Sequence, residues 1–476
     1  MARIIKSIFI CISLCGFILC HAQKVTKRPN VIFFLVDDLG WMDLGYQGSQ
    51  FYKTPNIDKL AYQSMRFNQA YAAHPRCVPS RYALITGKYP AREGIPGKGG
   101  KDSGRLNSSE FGLAKAFKKG GYSTFFAGKW HLSNNDVYPQ DQGFDYNFGG
   151  GHTGAPKSYF YPYNQAKNGN GGNGKEKPIL NLDDAEEGEY LTDHLTRKTL
   201  SFIKENKDRP FFVYLSHYGV HTPFEAKDSL KKYYKEKLKK NPMPHNHQFA
   251  RIGNTGETKL YQDNITYAAM IQSIDISFGQ ITSLLEYLQL SENTIIVFTS
   301  DHGGLSNRGN KRNLATSNLP LRAGKGHTYE GGIRVPTFIK WPSITKNSTT
   351  DAIITGTDFY PTLLEMAGLP LQPKQHLDGR SFYNILISEN SMITNRPIFW
   401  HSPLPRPAST GDRTNTAVRK GDYKLIDFYE EGIIELYNIK QDIGETTNLS
   451  EILTEKRDEL LKLIKNWRAE VGAFIK

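Results

Sequence analysis

The residues best equipped for chemistry cluster around one cysteine. Cys77 sits in His74-Pro75-Arg76-Cys77-Val78-Pro79-Ser80-Arg81, followed by Tyr82 to Thr86 and Gly87. Pro79 and Ser80 suit a helix start and Gly87 a helix stop, which places Cys77 at a helix N-terminus. There the positive end of the helix dipole and the flanking Arg76 and Arg81 favour an anion and activate a nucleophile. Of the four cysteines, Cys11, Cys15 and Cys20 lie in the first 22 residues. Residues 1–22 read as a secretory leader, with Arg3 and Lys6 before the apolar Ser7 to Cys20 and a Cys20-His21-Ala22 cleavage site. The mature chain then keeps one thiol, which excludes an intrachain disulfide. A lone thiol is by default a buried, inert hydrophobe, and only the basic setting of Cys77 argues for chemistry.

Elements must bring partners to that thiol. Four short apolar, β-rich runs each stop at polar residues. Val31 to Val36 stops at Asp37-Asp38, and Tyr122 to Ala127 at Gly128-Lys129-Trp130-His131. Phe211 to Leu215 stops at Ser216 to His221, and Thr294 to Thr299 at Asp301-His302. Helical patterns such as Ser109 to Lys119 and Tyr267 to Leu288 separate them. This alternation predicts an α/β fold, a large mostly parallel sheet between helices. In such sheets ligands bind beyond the carboxyl ends of the strands, so the four endings are expected to converge. Single Asp or His residues after strands are ordinary turn formers and helix caps, and it is the recurrence that matters.

Beyond about residue 385 the texture changes. Arg396 to Trp400, Ala417 to Phe428 and Ile433 to Tyr437 read as strands and Glu451 to Trp467 as a helix, predicting a small antiparallel sheet closed by a helix. The expected organisation is a leader over 1–22, a catalytic α/β domain over 23–385 and a C-terminal subdomain over 386–476. Tyr163 to Asp184, rich in Asn and Gly, and Asn241 to Thr258 read as surface excursions. Lys227 to Lys240 reads as an amphipathic surface helix.

The chain has 476 residues, a formal net charge of +13 and 38% hydrophobic residues. That is ample for a packed core. Loss of Arg3 and Lys6 with the leader leaves +11, which suits a polyanionic partner. The expected export and the absence of a recognised nucleic-acid module argue against nucleic acid. No later apolar run is long enough for stable membrane insertion.

At this level the sequence resembles the sulfatase family within the alkaline phosphatase superfamily, including secreted bacterial polysaccharide sulfatases and arylsulfatases. The family signature Cys-x-Pro-Ser-Arg with a following Thr-Gly stands as Cys77-Val78-Pro79-Ser80-Arg81 and Thr86-Gly87. A second signature stands as Gly121-Tyr122-Ser123-Thr124 and Gly128-Lys129-Trp130-His131. Further similar stretches include Pro29-Asn30 through Asp38, His221-Thr222-Pro223, Pro320 through Gly326, Glu330-Gly331-Gly332 and Arg419 through Leu425.

The resemblance implies that Cys77 is oxidised by a formylglycine-generating or anaerobic sulfatase-maturing enzyme to formylglycine. Its hydrated aldehyde attacks sulfur and releases the alcohol. The sulfate ester so formed collapses when the second hydroxyl loses its proton. The resemblance further implies a calcium ion held by Asp37, Asp38, Asp301, His302 and the modified Cys77. Hard oxygen donors and a hydroxyl to be acidified suit such a cation. His302 stands where the commoner family form has Asn, and imidazole is a less usual calcium ligand. Arg81 and Lys129 would hold the gem-diol, and His131 would take its proton. Lys325 and His221 would bind sulfate oxygens and assist the departing alcohol. Val78 departs mildly from the small or polar residue common after the cysteine. His74, His217, His327 and His401 stay outside the assigned set, each being as suited to a structural hydrogen bond as to a pocket wall.

The expected function is hydrolysis of sulfate esters on a sulfated carbohydrate of ulvan or carrageenan type, in the periplasm or secreted. The alternatives are an aryl sulfatase, a phosphonate or phosphate ester hydrolase on the same fold, and a non-catalytic glycan-binding protein.

Overall fold

A computed structural model describes residues 28–96, 106–132, 137–164, 179–244, 248–252, 256–310, 312–388 and 395–475. The proposed leader and the centre of the Tyr163 to Asp184 excursion lie outside the described residues. The main sheet has eight strands, in the spatial order Ser348–Thr350, Met65–Phe67, Thr337–Lys340, Thr294–Ser300, Asn30–Val36, Phe211–His217, Ser123–Gly128 and Tyr146–Phe148. The last five run parallel to one another, while Thr337–Lys340 pairs antiparallel with its neighbours on both sides.

Side-chain alternation explains why the central strands are apolar throughout. Ile32, Phe34 and Val36 join one core with Leu191, Leu195, Ile271 and Phe278 from the helices Leu191–Glu205 and Ile265–Tyr287. Val31, Phe33 and Leu35 face the other way, onto Tyr82, Phe117 and Leu363 from the helices Cys77–Thr86, Leu113–Lys119 and Phe359–Met366. Phe211, Val213 and Leu215 alternate with Phe212 and Tyr214 in the same sense. A strand buried on both faces has no polar side to spare, so its first polar residues fall where it leaves the sheet.

Register then aligns these endings. Val36 stands opposite both His217 and Ser300, and Gly128 opposite Ser216, so the residues after all four strands emerge at one edge. The sequence missed the four short strands that flank the four long ones, each of three or four residues. It also read Asn241 to Thr258 as open loop. Phe249–Ile252 and Gly256–Lys259 instead pair as antiparallel strands, extended by Asn307–Arg308. That third strand is remote in sequence, which is why local pattern could not reveal the sheet.

Ile398–Ser402, Asn415–Lys420, Tyr423–Phe428 and Ile433–Asn438 form the expected antiparallel sheet. Phe399, Val418, Leu425 and Leu436 pack on Leu460, Ile464 and Trp467 of the helix Thr454–Val471. The opposite face, with Trp400, Ala417 and Ile426, packs on Tyr71, Tyr329 and Ile333 of the main body. Buried Lys424 binds both Glu330 (2.9 Å) and Glu445 (2.8 Å) across this seam. No described helix is long and apolar enough to cross a membrane.

Removing one member of a buried ion cluster strands the others, at a cost of about 3–5 kcal/mol. Lys424→Ala is therefore expected to lower the unfolding free energy by about that much in urea titration. A loss below about 1 kcal/mol, the size typical of a surface pair, would show that this cluster does not tie the two parts together.

Candidate active site

The helix Cys77–Thr86 points its N-terminus at the carboxyl edge of the sheet, and all ten of its residues are buried. Arg76 provides the N-cap in an extended conformation with no capping side chain, and Gly87 ends the helix at φ 69°. Cys77 Sγ lies 3.2 Å from His302 Nε2. Burial alone would raise the thiol pKa. Lys129, Lys325, His302 and a hydrogen bond from His131 outweigh it and hold the thiol well below its ordinary value. The activating cations therefore come from distant segments. Arg76, adjacent in sequence, is instead ion-paired with buried Asp412.

Beside the thiol, Asp37, Asp38, Cys77 and His302 each offer a ligand atom, all within 4.8 Å of one another and all buried. Asp301 completes the acidic cluster from the next strand, its Oδ1 3.6 Å from His302 Nε2 and accepting from the Asp38 amide at 3.2 Å. Cations surround it. Arg81 Nε donates to Asp301 Oδ2 (3.0 Å), and Arg81 Nη2 lies 3.3 Å from Asp37 Oδ1. Lys129 Nζ donates to Asp37 Oδ2 (2.6 Å), and Lys325 Nζ to both oxygens of Asp38 (2.6 and 2.8 Å).

The balance is uneven. Burial would raise Asp37, but Lys129 and Arg81 outweigh it and hold Asp37 far below the usual carboxylate range. Burial and the neighbouring Asp37 raise Asp301 to about 7. Burial disfavours an imidazolium at His302, yet Asp301, Cys77 and Asp38 raise it to about 9. An aspartate and a histidine both pushed upward mark a pocket short of positive charge. Asp37 Oδ1 also accepts no hydrogen bond among the described residues. This donor set fits a divalent cation, with carboxylate oxygens as hard ligands.

Local backbone sets these side chains. Asp38 (φ 62°) and His131 (φ 60°) occupy the left-handed region that most residues avoid. Gly128, at φ 104°, could carry no side chain at all, because a Cβ would fall 1.8 Å from Ser216 O. That close approach delivers Lys129, whose amide donates to Ser216 O at 2.7 Å.

His221 is half-buried, with Nδ1 2.8 Å from Thr222 O and Nε2 3.7 Å from Asp38 Oδ2. Burial and Lys325 lower its pKa, and burial likewise lowers His131. The structure thus gathers every residue singled out from the sequence: Asp37, Asp38, Cys77, Arg81, Lys129, His131, His221, Asp301, His302 and Lys325. Of the histidines set aside, His217 bonds Ser277 Oγ, His327 bonds Thr410 O, and His401 bonds Thr416 Oγ1 and Phe474 O. All three serve the fold.

Sequence reasoning missed three supports. Ser216 Oγ accepts from Arg81 Nη1 at 2.6 Å and donates to Lys129 O. Tyr267 donates to Asp38 O (3.2 Å) and to Asp43 Oδ2 (2.5 Å), bracing the turn that carries Asp38. Asp412 joins Arg76 to the 406–412 loop. Nothing in local pattern distinguishes such residues from any strand serine, core tyrosine or loop aspartate.

Gly128→Ala is expected to displace Lys129 and to lower kcat by about 100-fold, the scale of loss for a misplacement near 1 Å, in a sulfate-release assay. Wild-type turnover in this variant would show that the close approach at Ser216 is not needed.

Residues 29–369 match the sulfatase family model, and residues 324–470 match the model described as N-sulphoglucosamine sulphohydrolase, C-terminal. A sulfatase of Formosa agariphila is 32% identical, over 90% of this chain and 85% of its own. The N-acetylgalactosamine-6-sulfatase of Canis lupus familiaris is 31% identical, over 93% and 80%. Among solved structures, Ps i-CgsB superposes with a TM-score of 0.75 at 30% identity, covering 93% of each chain, and it has also been solved with k-i-k-neocarrahexaose. With its thiol at a helix N-terminus over paired aspartates and its fold shared along nearly the whole chain, this protein belongs to the sulfatase family of sulfuric ester hydrolases.

Proposed function

We propose that the protein removes sulfate from a sulfated carbohydrate through a formylglycine derived from Cys77. The observation that carries this reading is the setting of Cys77: a buried nucleophile position facing two lysines, three carboxylates and three histidines. The hydrated aldehyde supplies the oxygen nucleophile that a thiol does not. Asp37, Asp38, Asp301 and His302 would hold a calcium ion, which would acidify a hydroxyl at position 77 and offset sulfate charge.

The chain's own groups do the rest. Arg81 is fixed by Asp301, Asp37 and Ser216 and, with Lys129, orients the position-77 oxygens. His131, neutral through burial, accepts a proton from them. Nδ1 of His221, facing the Thr222 carbonyl, takes the donor role, which turns Nε2 to the site. Lys325 depresses the His221 pKa. An anionic sulfate placed between them opposes that effect, so the imidazole takes a proton from solvent at Nε2 and passes it to the departing alkoxide. Lys325 and Lys129 stabilise the sulfate oxygens through the transfer.

A carbohydrate substrate is supported by the relatives that bear sugar names and by the basic surplus of the mature chain. We favour an algal polysaccharide of carrageenan type over ulvan, because the solved structure at 30% identity is recorded with a neocarrahexaose. The leader expected over 1–22 supports export, to the periplasm before the medium.

Two measurements test this. Mass spectrometry of the Cys77 peptide from active enzyme is expected to show CHO in place of CH2SH. Cys77→Ala is expected to cut turnover by more than about 10³-fold while sulfated oligosaccharide still binds. An unmodified thiol in fully active enzyme overturns the formylglycine. Chelation is expected to abolish sulfate release and calcium to restore it; faster turnover of the matched phosphate ester would assign the site to phosphoryl chemistry.

A further inference from the structure

Lys325 reaches the site from a loop between the strand Asn307–Arg308 and the short helix Glu330–Ile333, with no regular element to aim it. Its ammonium nevertheless ends on both oxygens of Asp38, so side-chain contacts must fix the loop. We propose that Asn318 is the positioning residue for Lys325 and sets where the ammonium meets the sulfate. This rests on the sulfate-binding role given to Lys325 above.

Geometry is the first argument. Asn318 is 1% exposed, and its Nδ2 lies 3.2 Å from Gly304 O, 3.1 Å from Ser306 Oγ, 3.0 Å from Ala323 O and 3.2 Å from Gly331 O. These acceptors belong to three stretches: the turn after Asp301-His302, the loop that carries Lys325, and the helix Glu330–Ile333. Gly304 O also accepts the Lys325 amide at 3.1 Å, so one carbonyl ties Asn318 to the backbone of the lysine itself. The other end of the amide packs on Gly40, two residues beyond Asp38, where a Cβ would fall 2.4 Å from Asn318 Oδ1. One buried side chain thus touches the segments that bear Asp38, His302 and Lys325.

Chemistry is the second. The reversed amide would set its oxygen against four acceptors, so the side chain has one stable orientation and acts as a fixed point. Buried oxygens that converge this closely repel one another unless a donor stands between them, and the Asn318 amide is that donor. Ala323, two residues before Lys325, stands at φ 57°, a left-handed conformation that costs a residue with a side chain energy. Its carbonyl accepts from Asn318 Nδ2 and, at 2.9 Å, from Ser306 Oγ, and these bonds hold the strained turn. Without them the backbone at Ala323 relaxes, and Lys325 is no longer directed at Asp38.

The test compares the matured full-length enzyme with Asn318→Ala, Lys325→Ala and the double variant, on an aryl sulfate with inorganic sulfate as the competing ligand. Asn318→Ala is expected to lower kcat/KM about 10-fold, chiefly through KM, and to weaken inhibition by inorganic sulfate about as much. In the Lys325→Ala background the same substitution is expected to cost less than about 2-fold, because the ammonium it would misplace is gone. Ser306→Ala, a smaller change, is expected to repeat this pattern at about 3-fold and takes the place of Asn318→Ala if that variant does not fold. Equal losses in both backgrounds, a loss confined to kcat, or no loss in either variant would overturn the positioning role. If Lys325→Ala itself keeps wild-type kinetics, the sulfate-binding role of Lys325 fails by itself. A crystal structure of Asn318→Ala then decides the positioning, by whether Lys325 Nζ has left Asp38 as expected or still contacts it.

Discussion

The structure depends on one electrostatic problem, the gathering of Asp37, Asp38, Asp301 and an ionisable Cys77 in a space closed to water. Charges brought that close and stripped of solvent cannot coexist unless cations are built in around them. Arg81 and Lys129 neutralise the Asp37 and Asp301 side of the cluster and Lys325 the Asp38 side. They leave a remainder, which pushes the pKa values of Asp301 and His302 upward. A bound cation is what the remainder calls for. Lys129, Lys325 and His302, the cations nearest position 77, outweigh burial there and favour a negatively charged nucleophile.

That cluster exists only because the sheet delivers its members with matched register. Asp37, Lys129, His221 and Asp301 follow four different strands, and a slip of one residue in any strand would turn its ending to the wrong face. The aromatic packing on both sides of the sheet prevents it. Phe298 and Phe338 stack with ring planes 1° apart, and Phe117 stacks on Phe212 with centroids 4.1 Å apart. The left-handed turns at Asp38 and His131 then spend a little of this stability to aim side chains back over the strand ends.

The C-terminal sheet is part of the same arrangement. Lys424 reaches Glu330, which lies five residues beyond Lys325 on the segment that returns to the main sheet. Asp412 and Thr410 pack beside Arg76 and His327, so the 406–412 loop sits on the rim of the site. The C-terminal sheet thus braces the segment that follows Lys325 through the Lys424–Glu330 pair.

Much of this was legible in the amino-acid order. Apolar strands buried on both faces announce their ends by the first polar residues, so the positions of Asp37, Lys129, His221 and Asp301 could be read from pattern alone. The Cys77 signature identified the family. Local order could not say which cations serve Cys77. It put forward Arg76, whereas the fold pairs Arg76 with Asp412 and brings Lys129 and Lys325 from 52 and 248 residues away. Nor could it find Ser216, Tyr267 or the hairpin at 249–259, whose partners are set by packing across the sheet. Sequence determines which groups can carry charge and where strands stop, because those are properties of single residues and short periods. Tertiary structure decides which charges meet, because electrostatic energy depends on distance through space and on the exclusion of water, and neither is written in the order along the chain.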